Sequence, residues 1–121
     1  VPWMYNPAAN NWMQKRRISN ISDEEYDDDY NIQRSNACSF VIDGVVYLST
    51  GESSGVTGLT WAYDPVSDLW TQMTGFEGTA RIGAVGFSLN NKGYITTGNN
   101  SSSRFDDMWE FAPYAEQVDN D

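Results

Sequence analysis

The chain of 121 residues contains no histidine and only one cysteine, Cys38. A single thiol cannot form an internal disulfide, and without histidine the chain supplies neither a Ser-His or Cys-His catalytic pair nor a histidine-ligated zinc site. Cys38 lies in the apolar stretch 37–41, where a small buried side chain is a more frequent role than a reactive thiol. These absences exclude several common catalytic centres from the chain.

Basic residues and long apolar runs are also scarce. The chain has 17 acidic against 7 basic residues, for a net charge of −10. An acidic field repels nucleic acid and anionic membrane surfaces, so we expect neither as a partner. No apolar run approaches the roughly 20 residues of a membrane-spanning helix, so we expect no membrane insertion. The N-terminus lacks a signal-peptide pattern, and its start at Val1 suggests a processed or excised product.

Aromatic residues, in contrast, are abundant and recur in a pattern. The chain has 5 Trp, 7 Tyr and 5 Phe. Four residues beginning with Arg34 recur 47 positions later, so that Arg34, Phe40, Tyr47 and Gly51 correspond to Arg81, Phe87, Tyr94 and Gly98. A Trp-x-aromatic-x-Pro motif, followed by an aromatic or apolar residue seven positions after its aromatic, occurs three times, at Trp3-Tyr5-Pro7-Trp12, Trp61-Tyr63-Pro65-Trp70 and Trp109-Phe111-Pro113-Val118. Repeats of this length are typical of stacked or radial architectures.

Each repeat is predicted to consist of short antiparallel strands. Apolar segments 37–42 and 84–89 are followed by the turn formers Asp43-Gly44 and Asn90-Asn91, which favour a tight hairpin. The returning strands are 45–50 and 93–97, the third strands are 59–63 and 108–111, and a fourth begins near Trp70 or Val118. Helical periodicity is not visible over more than about two turns, so the chain is predicted to be all-β.

These residues resemble the kelch repeat of β-propellers, in the galactose-oxidase-like and sugar-epimerase-like variant of bacteria. The resemblance implies antiparallel four-stranded kelch-type blades and a fragment of about two and a half blades. Residues 1–33 would hold the last two strands of one blade and an acidic inter-blade insertion, 34–80 a complete blade, and 81–121 an incomplete one. The matching elements are Tyr63-Asp64-Pro65 with Trp70, Asp106-Asp107-Met108-Trp109, the opening residues Arg34 and Arg81, and Lys92-Gly93-Tyr94 before Thr97-Gly98. The family's glycine doublet is replaced by Thr50-Gly51 and Thr97-Gly98.

The resemblance also implies a binding face built from loops. Segments 18–33, 51–58, 75–80 and 98–105 would emerge on that face. An arginine at the mouth of the channel can hold a carboxylate or sugar hydroxyls, although a structural role between blades is the alternative for the two opening arginines. The repeated aromatics are predicted mainly as inter-blade core rather than as a sugar-stacking platform. The candidate ligand-binding residues are Arg34, Arg81, Glu52, Asn99 and Arg104.

An acidic insertion distinguishes the first connection between blades. Trp12 and Arg34 are 22 positions apart, whereas Trp70 and Arg81 are 11 apart. A hard cation such as calcium accepts oxygen ligands in irregular loops, and the candidates here are Asp23, Asp27 and Asp29. The spacing lacks the glycine and glutamate of a calcium-hand loop, and a solvated insertion or a protein-contacting loop is the alternative. No other cofactor is predicted.

Two functional hypotheses follow from the resemblance. The first is a non-catalytic binding or scaffold module, extracellular or periplasmic, that presents loops to a glycan or a protein. The second is that the complete propeller is a carbohydrate-active enzyme of the sugar epimerase or mutarotase type, in which carboxylates and arginines transfer protons. A closed propeller needs at least about four blades, so the expected partners are the remainder of the propeller or other copies of the chain.

Overall fold

The computed structural model describes residues 2–15 and 31–114, and within these residues the chain is all-β without a helix. The described residues contain nine strands in three antiparallel sheets, each in sequential strand order. This architecture is that expected of a β-propeller fragment and confirms the predicted fold class. The N-terminal hairpin contains β1 (Trp3–Asn6) and β2 (Asn11–Gln14); the central sheet contains β3 (Cys38–Ile42), β4 (Val45–Ser49), β5 (Thr60–Asp64) and β6 (Leu69–Met73); the C-terminal sheet contains β7 (Val85–Leu89), β8 (Lys92–Thr96) and β9 (Met108–Phe111).

The two tight turns predicted from the sequence connect β3 to β4 and β7 to β8. Asp43 and Gly44 have φ of 50° and 78°, and Asn90 and Asn91 have φ of 53° and 63°. Two consecutive left-handed residues match the right-handed twist of the flanking strands, and Asp, Asn and Gly are the residues that adopt this conformation most readily. The turn residues therefore fix the register of both hairpins.

The seven-residue spacing of the aromatic motif corresponds to a second kind of hairpin. Tyr5 lies directly opposite Trp12, and Tyr63 lies directly opposite Trp70. The ring centroids of the two pairs are 5.1 Å and 4.8 Å apart, with interplanar angles of 44° and 41°. The repeat thus encodes the same cross-strand aromatic pair twice. The third copy ends at Val118, which lies outside the described residues.

The central and C-terminal sheets pack face to face. Strand β3 alternates between buried and exposed residues, and its buried side faces β7 and β8. Phe40 occupies the space above Gly93, where an added Cβ would overlap the Phe40 ring. Phe111 packs against Phe40 and Tyr47, with ring centroids 5.9 Å and 5.3 Å apart. The buried members of this core are Cys38, Phe40, Ile42, Tyr47, Ala62 and Ile95.

A second core lies on the opposite face of the central sheet. It contains Ile32, Trp61, Tyr63 and Trp70, which are at most 9% exposed. The predicted burial of the repeated aromatics is therefore confirmed in this sheet.

The same prediction is wrong for the N-terminal hairpin. Trp3, Tyr5 and Trp12 are 56%, 44% and 66% exposed, and Trp109 in the C-terminal sheet is 37% exposed. The physical reason is that, among the described residues, no strand of the other two sheets lies close to the hairpin. Among the described residues, the contact between aromatic rings in this hairpin is that of Tyr5 with Trp12.

Candidate ligand-binding site

The loops that follow β4 and β8 are held by the same backbone frame. Glu52 and Ser35 exchange two hydrogen bonds, of 2.9 Å and 3.0 Å, and Asn99 and Ile82 exchange two of 2.8 Å and 3.0 Å. The two pairs are separated by the 47-residue repeat. Glu52 and Asn99, both predicted as ligand-binding residues, therefore occupy equivalent positions at the start of equivalent loops.

Each loop begins at a Thr-Gly corner. Thr50 and Thr97 have φ of 60° and 63°, and the following Gly51 and Gly98 both have φ of 94°. A Cβ on Gly51 would lie 2.6 Å from the carbonyl oxygen of Ser35, so only glycine fits there. A β-branched residue in the left-handed region costs about 1–2 kcal/mol. Both corners thus hold backbone strain directly beside the candidate loops.

The second loop is pinned by its own side chain. Asn100 Oδ1 accepts hydrogen bonds from the backbone amides of Ser102 and Ser103, at 2.9 Å and 2.8 Å. The amide of Asn100 donates to the carbonyl oxygen of Ser103 at 2.9 Å. An open hollow of about 390 Å³ is lined by residues 99–104. The structure therefore brings the predicted residues Asn99 and Arg104 together, paired as neighbours across the loop.

Glu52 belongs to the adjacent loop and does not line this hollow. The two loops are linked through the backbone, because the amide of Gly51 donates to the carbonyl oxygen of Arg81 at 2.9 Å and the neighbouring Ile82 is bonded to Asn99. Glu52 is half-buried. It therefore belongs to the neighbouring loop and not to the hollow.

Arg34 ties strands of its own sheet together. Its Nε donates to the carbonyl oxygen of Ile32 at 2.9 Å, and its Nη1 donates to those of Thr50 and Leu59 at 2.9 Å and 2.7 Å. Burial lowers the pKa of the Arg34 guanidinium below its usual value. These contacts match the structural alternative, with the difference that they lie within one sheet instead of between blades.

Arg81 has an equivalent set of contacts. Its side chain is fully buried, and it donates to the carbonyl oxygens of Thr79 and Thr97, both at 3.0 Å. At the position where Arg34 donates to the carbonyl oxygen of Leu59, Arg81 instead forms two hydrogen bonds, of 2.5 Å and 2.9 Å, with the carboxylate of Asp107. The hydrogen bond from Arg81 is the main cause that holds the pKa of Asp107 well below its ordinary value. The guanidinium of Arg81 is consequently committed to the fold and is not presented to a ligand.

Arg104 differs from both of these arginines. It is exposed, and no described residue accepts a hydrogen bond from its guanidinium or forms an ion pair with it. Of the three candidate arginines, Arg104 is therefore the one whose charge is available at the loop face.

A second concavity, of about 220 Å³, lies between the central and C-terminal sheets. Phe76 and Trp109 meet there edge to face, with ring centroids 5.7 Å apart. Sequence reasoning placed segment 75–80 on the binding face but did not identify Phe76 or Glu77 as candidates. Both residues line the cleft, together with Met73, Trp109, Glu110 and Phe111.

Within residues 2–15 and 31–114 no group of three or more Cys, Asp or Glu side chains is arranged to hold a metal ion. The calcium candidates Asp23, Asp27 and Asp29 lie outside this part of the chain. The same described residues contain no helix long and apolar enough to span a membrane.

No protein-family model and no curated protein matches the chain. Among solved structures, that of YjhT is similar, with 30% sequence identity and a TM-score of 0.49 over 54% of this chain. The match covers 21% of the YjhT chain, so the present chain spans about one fifth of that protein.

Proposed function

We propose that the chain is a non-catalytic binding or scaffold module of a kelch-type β-propeller, extracellular or periplasmic, and that its loops contact a glycan or a protein. The observation that supports this most directly is the exposed pair Asn99 and Arg104 on a rigid backbone frame. Arg34 and Arg81, by contrast, donate hydrogen bonds to acceptors within the fold.

The chemistry of the hollow favours a glycan. Its lining offers the Asn99 amide, three serine side chains and one guanidinium, which are groups that bind hydroxyls and carboxylates. The chain carries a net charge of −10, so a carboxylate-bearing sugar would depend on Arg104 for local attraction. The net charge of the chain opposes an acidic ligand at long range, so our preference for an acidic glycan over a neutral one rests on the available guanidinium of Arg104 at the hollow.

Substitution of Arg104 tests this proposal. We expect the 121-residue chain to bind carboxylate-bearing oligosaccharides more tightly than neutral ones in a titration panel. A hydrogen bond to a charged group contributes about 1.5–3 kcal/mol, so Arg104→Gln should weaken binding by about 10- to 100-fold.

Lys92→Gln is the matched control, because it also removes one positive charge. Lys92 is the first residue of β8, at the other end of that strand from the loop, and its ammonium group pairs with Glu110 at 3.2 Å. Its substitution should leave affinity almost unchanged. Equal weakening by both variants would attribute binding to overall charge, and binding to none of the oligosaccharides would overturn the glycan assignment in favour of a protein partner.

The enzymatic alternative belongs to the complete propeller. Of the candidate residues in the two described loops, Glu52 carries the carboxyl group, and it does not line the hollow. A proton-transfer pair would have to include residues beyond these loops, so binding is the function that these residues support best.

A further inference from the structure

The outward face of the C-terminal sheet repeats a surface that is buried elsewhere in the chain. Phe87 and Tyr94 are stacked at 5.2 Å with an interplanar angle of 18°, and their equivalents Phe40 and Tyr47 are stacked at 5.6 Å and 15°. Phe40 and Tyr47 are each 4% exposed because the C-terminal sheet packs on them, whereas Phe87 is 39% exposed. The surroundings of Phe87 are also apolar and exposed, and include Val85, Leu89 and Met108, at 55%, 57% and 58%.

The N-terminal hairpin repeats the complementary surface. Trp3 and Tyr5 occupy the motif positions of Trp109 and Phe111. Phe111 is the residue that packs against the stacked pair Phe40 and Tyr47 in the inter-sheet core. Tyr5, which has no such partner among the described residues, is 44% exposed.

The chain thus presents two halves of one interface on two different surfaces. One half is the stacked pair Phe87 and Tyr94, and the other is the aromatic face of the hairpin, formed by Trp3, Tyr5 and Trp12. Each half is preformed, since the Tyr5–Trp12 pair has almost the geometry of the buried pair Tyr63–Trp70. Exposed apolar sheet faces of this kind favour association with another surface, because burial removes apolar area from water.

We propose that copies of this chain associate head to tail, with the aromatic face of the hairpin of one copy packed on the outward face of the C-terminal sheet of the next. We argue for a second copy because it carries the repeat equivalent of the face that already covers Phe40 and Tyr47. A chain that stays monomeric would instead assign the two faces to further blades of a longer polypeptide. The two surfaces differ, so the interface is heterologous and builds a ring where its rotation closes and a filament where it does not. This inference uses sheet faces and is independent of the glycan site.

A mixing experiment with two variants distinguishes this interface from other kinds of association. Phe87→Glu should block one face and Trp3→Glu the other. The unsubstituted chain should increase in mean mass with concentration in sedimentation velocity, while each variant alone should remain a monomer. An equimolar mixture should form a one-to-one dimer and nothing larger, because each copy then retains one intact face.

Controls keep the result interpretable. Val66→Glu in the β5–β6 turn, where the side chain is 94% exposed, should leave association unchanged. Circular dichroism and tryptophan emission report whether each variant folds. If Trp3→Glu does not fold, Trp12→Glu replaces it as the variant that blocks the hairpin face. A monomeric unsubstituted chain, association that survives either substitution, or a mixture of folded variants that fails to dimerise would each overturn the proposal.

Discussion

At the scale of single residues, the repeat position occupied by Arg34 and Arg81 donates hydrogen bonds to two different kinds of acceptor. Both side chains reach a carbonyl oxygen two residues before them and another at the end of the second strand. Arg34 also donates to the carbonyl oxygens of Leu59 and Asn31, whereas Arg81 donates to the carboxylate of Asp107. The second arrangement gives the C-terminal sheet a charge-assisted bond that the central sheet lacks.

Asp107→Asn should therefore destabilise the fold. Removing one partner of a fully buried ion pair costs about 3–5 kcal/mol, because the other charge stays buried without compensation. The Asp107 carboxylate is 40% exposed, so solvent screening reduces the expected loss to about 2–3 kcal/mol. Urea unfolding measures the difference, and the exposed neighbour Asp106→Asn is the control. Equal effects of the two substitutions would show that the pair contributes little.

The same variant has a predicted pH dependence. The Arg81 hydrogen bonds lower the pKa of Asp107 in the folded state, so the unfolded chain takes up the proton first as pH falls. The stabilisation from Asp107 is thus complete at neutral pH and declines as pH falls from about 4 toward the lower folded-state pKa. The gap in unfolding free energy between the unsubstituted chain and Asp107→Asn should narrow over that range.

At the scale of strands and hairpins, the cross-strand Tyr/Trp pair occurs in one buried and one exposed setting. Trp70 is 9% exposed and Trp12 is 66% exposed, although both face a tyrosine in the same register. Trp70→Ala should lower the unfolding free energy by about 3–5 kcal/mol through lost packing and a residual cavity. Trp12→Ala, at the equivalent position, should cost much less. Chemical denaturation at low protein concentration compares them, and similar losses would mean that the exposed hairpin contributes to the core.

These elements also show what sequence reasoning can predict. Turn chemistry at Asp43-Gly44 and Asn90-Asn91 is local, so it correctly placed two hairpins, and the repeat correctly indicated a fourth strand near Trp70. The structure adds that Trp70 lies opposite Tyr63. Burial is not local. Trp3 and Trp61 share a motif, but one is exposed and the other buried, because burial depends on whether another surface covers the sheet.

The candidate site was predictable to a similar extent. The 47-residue repeat placed Glu52 and Asn99 at equivalent loop positions, and the structure adds that Asn99 and Arg104 share a hollow. The sequence could not indicate which of the three candidate arginines has a guanidinium available to a ligand. That distinction depends on the acceptors that surround Arg81 in three dimensions, and these come from segments up to 26 residues away along the chain.

At the scale of the whole molecule, charge and apolar surface act in opposite directions on self-association. Each copy carries a net charge of −10, so copies repel one another, while the proposed interface is made of aromatic and aliphatic side chains. Raising NaCl from about 10 to about 100 mM shortens the Debye length from about 30 to about 10 Å, and thus weakens the repulsion without removing apolar contacts. Head-to-tail association should therefore tighten with salt in sedimentation equilibrium, and Phe87→Glu should abolish it at every salt concentration. Association that weakens with salt would point instead to an interface held by ion pairs, in which the few cations of the chain, such as Arg104, bind acidic side chains of the next copy.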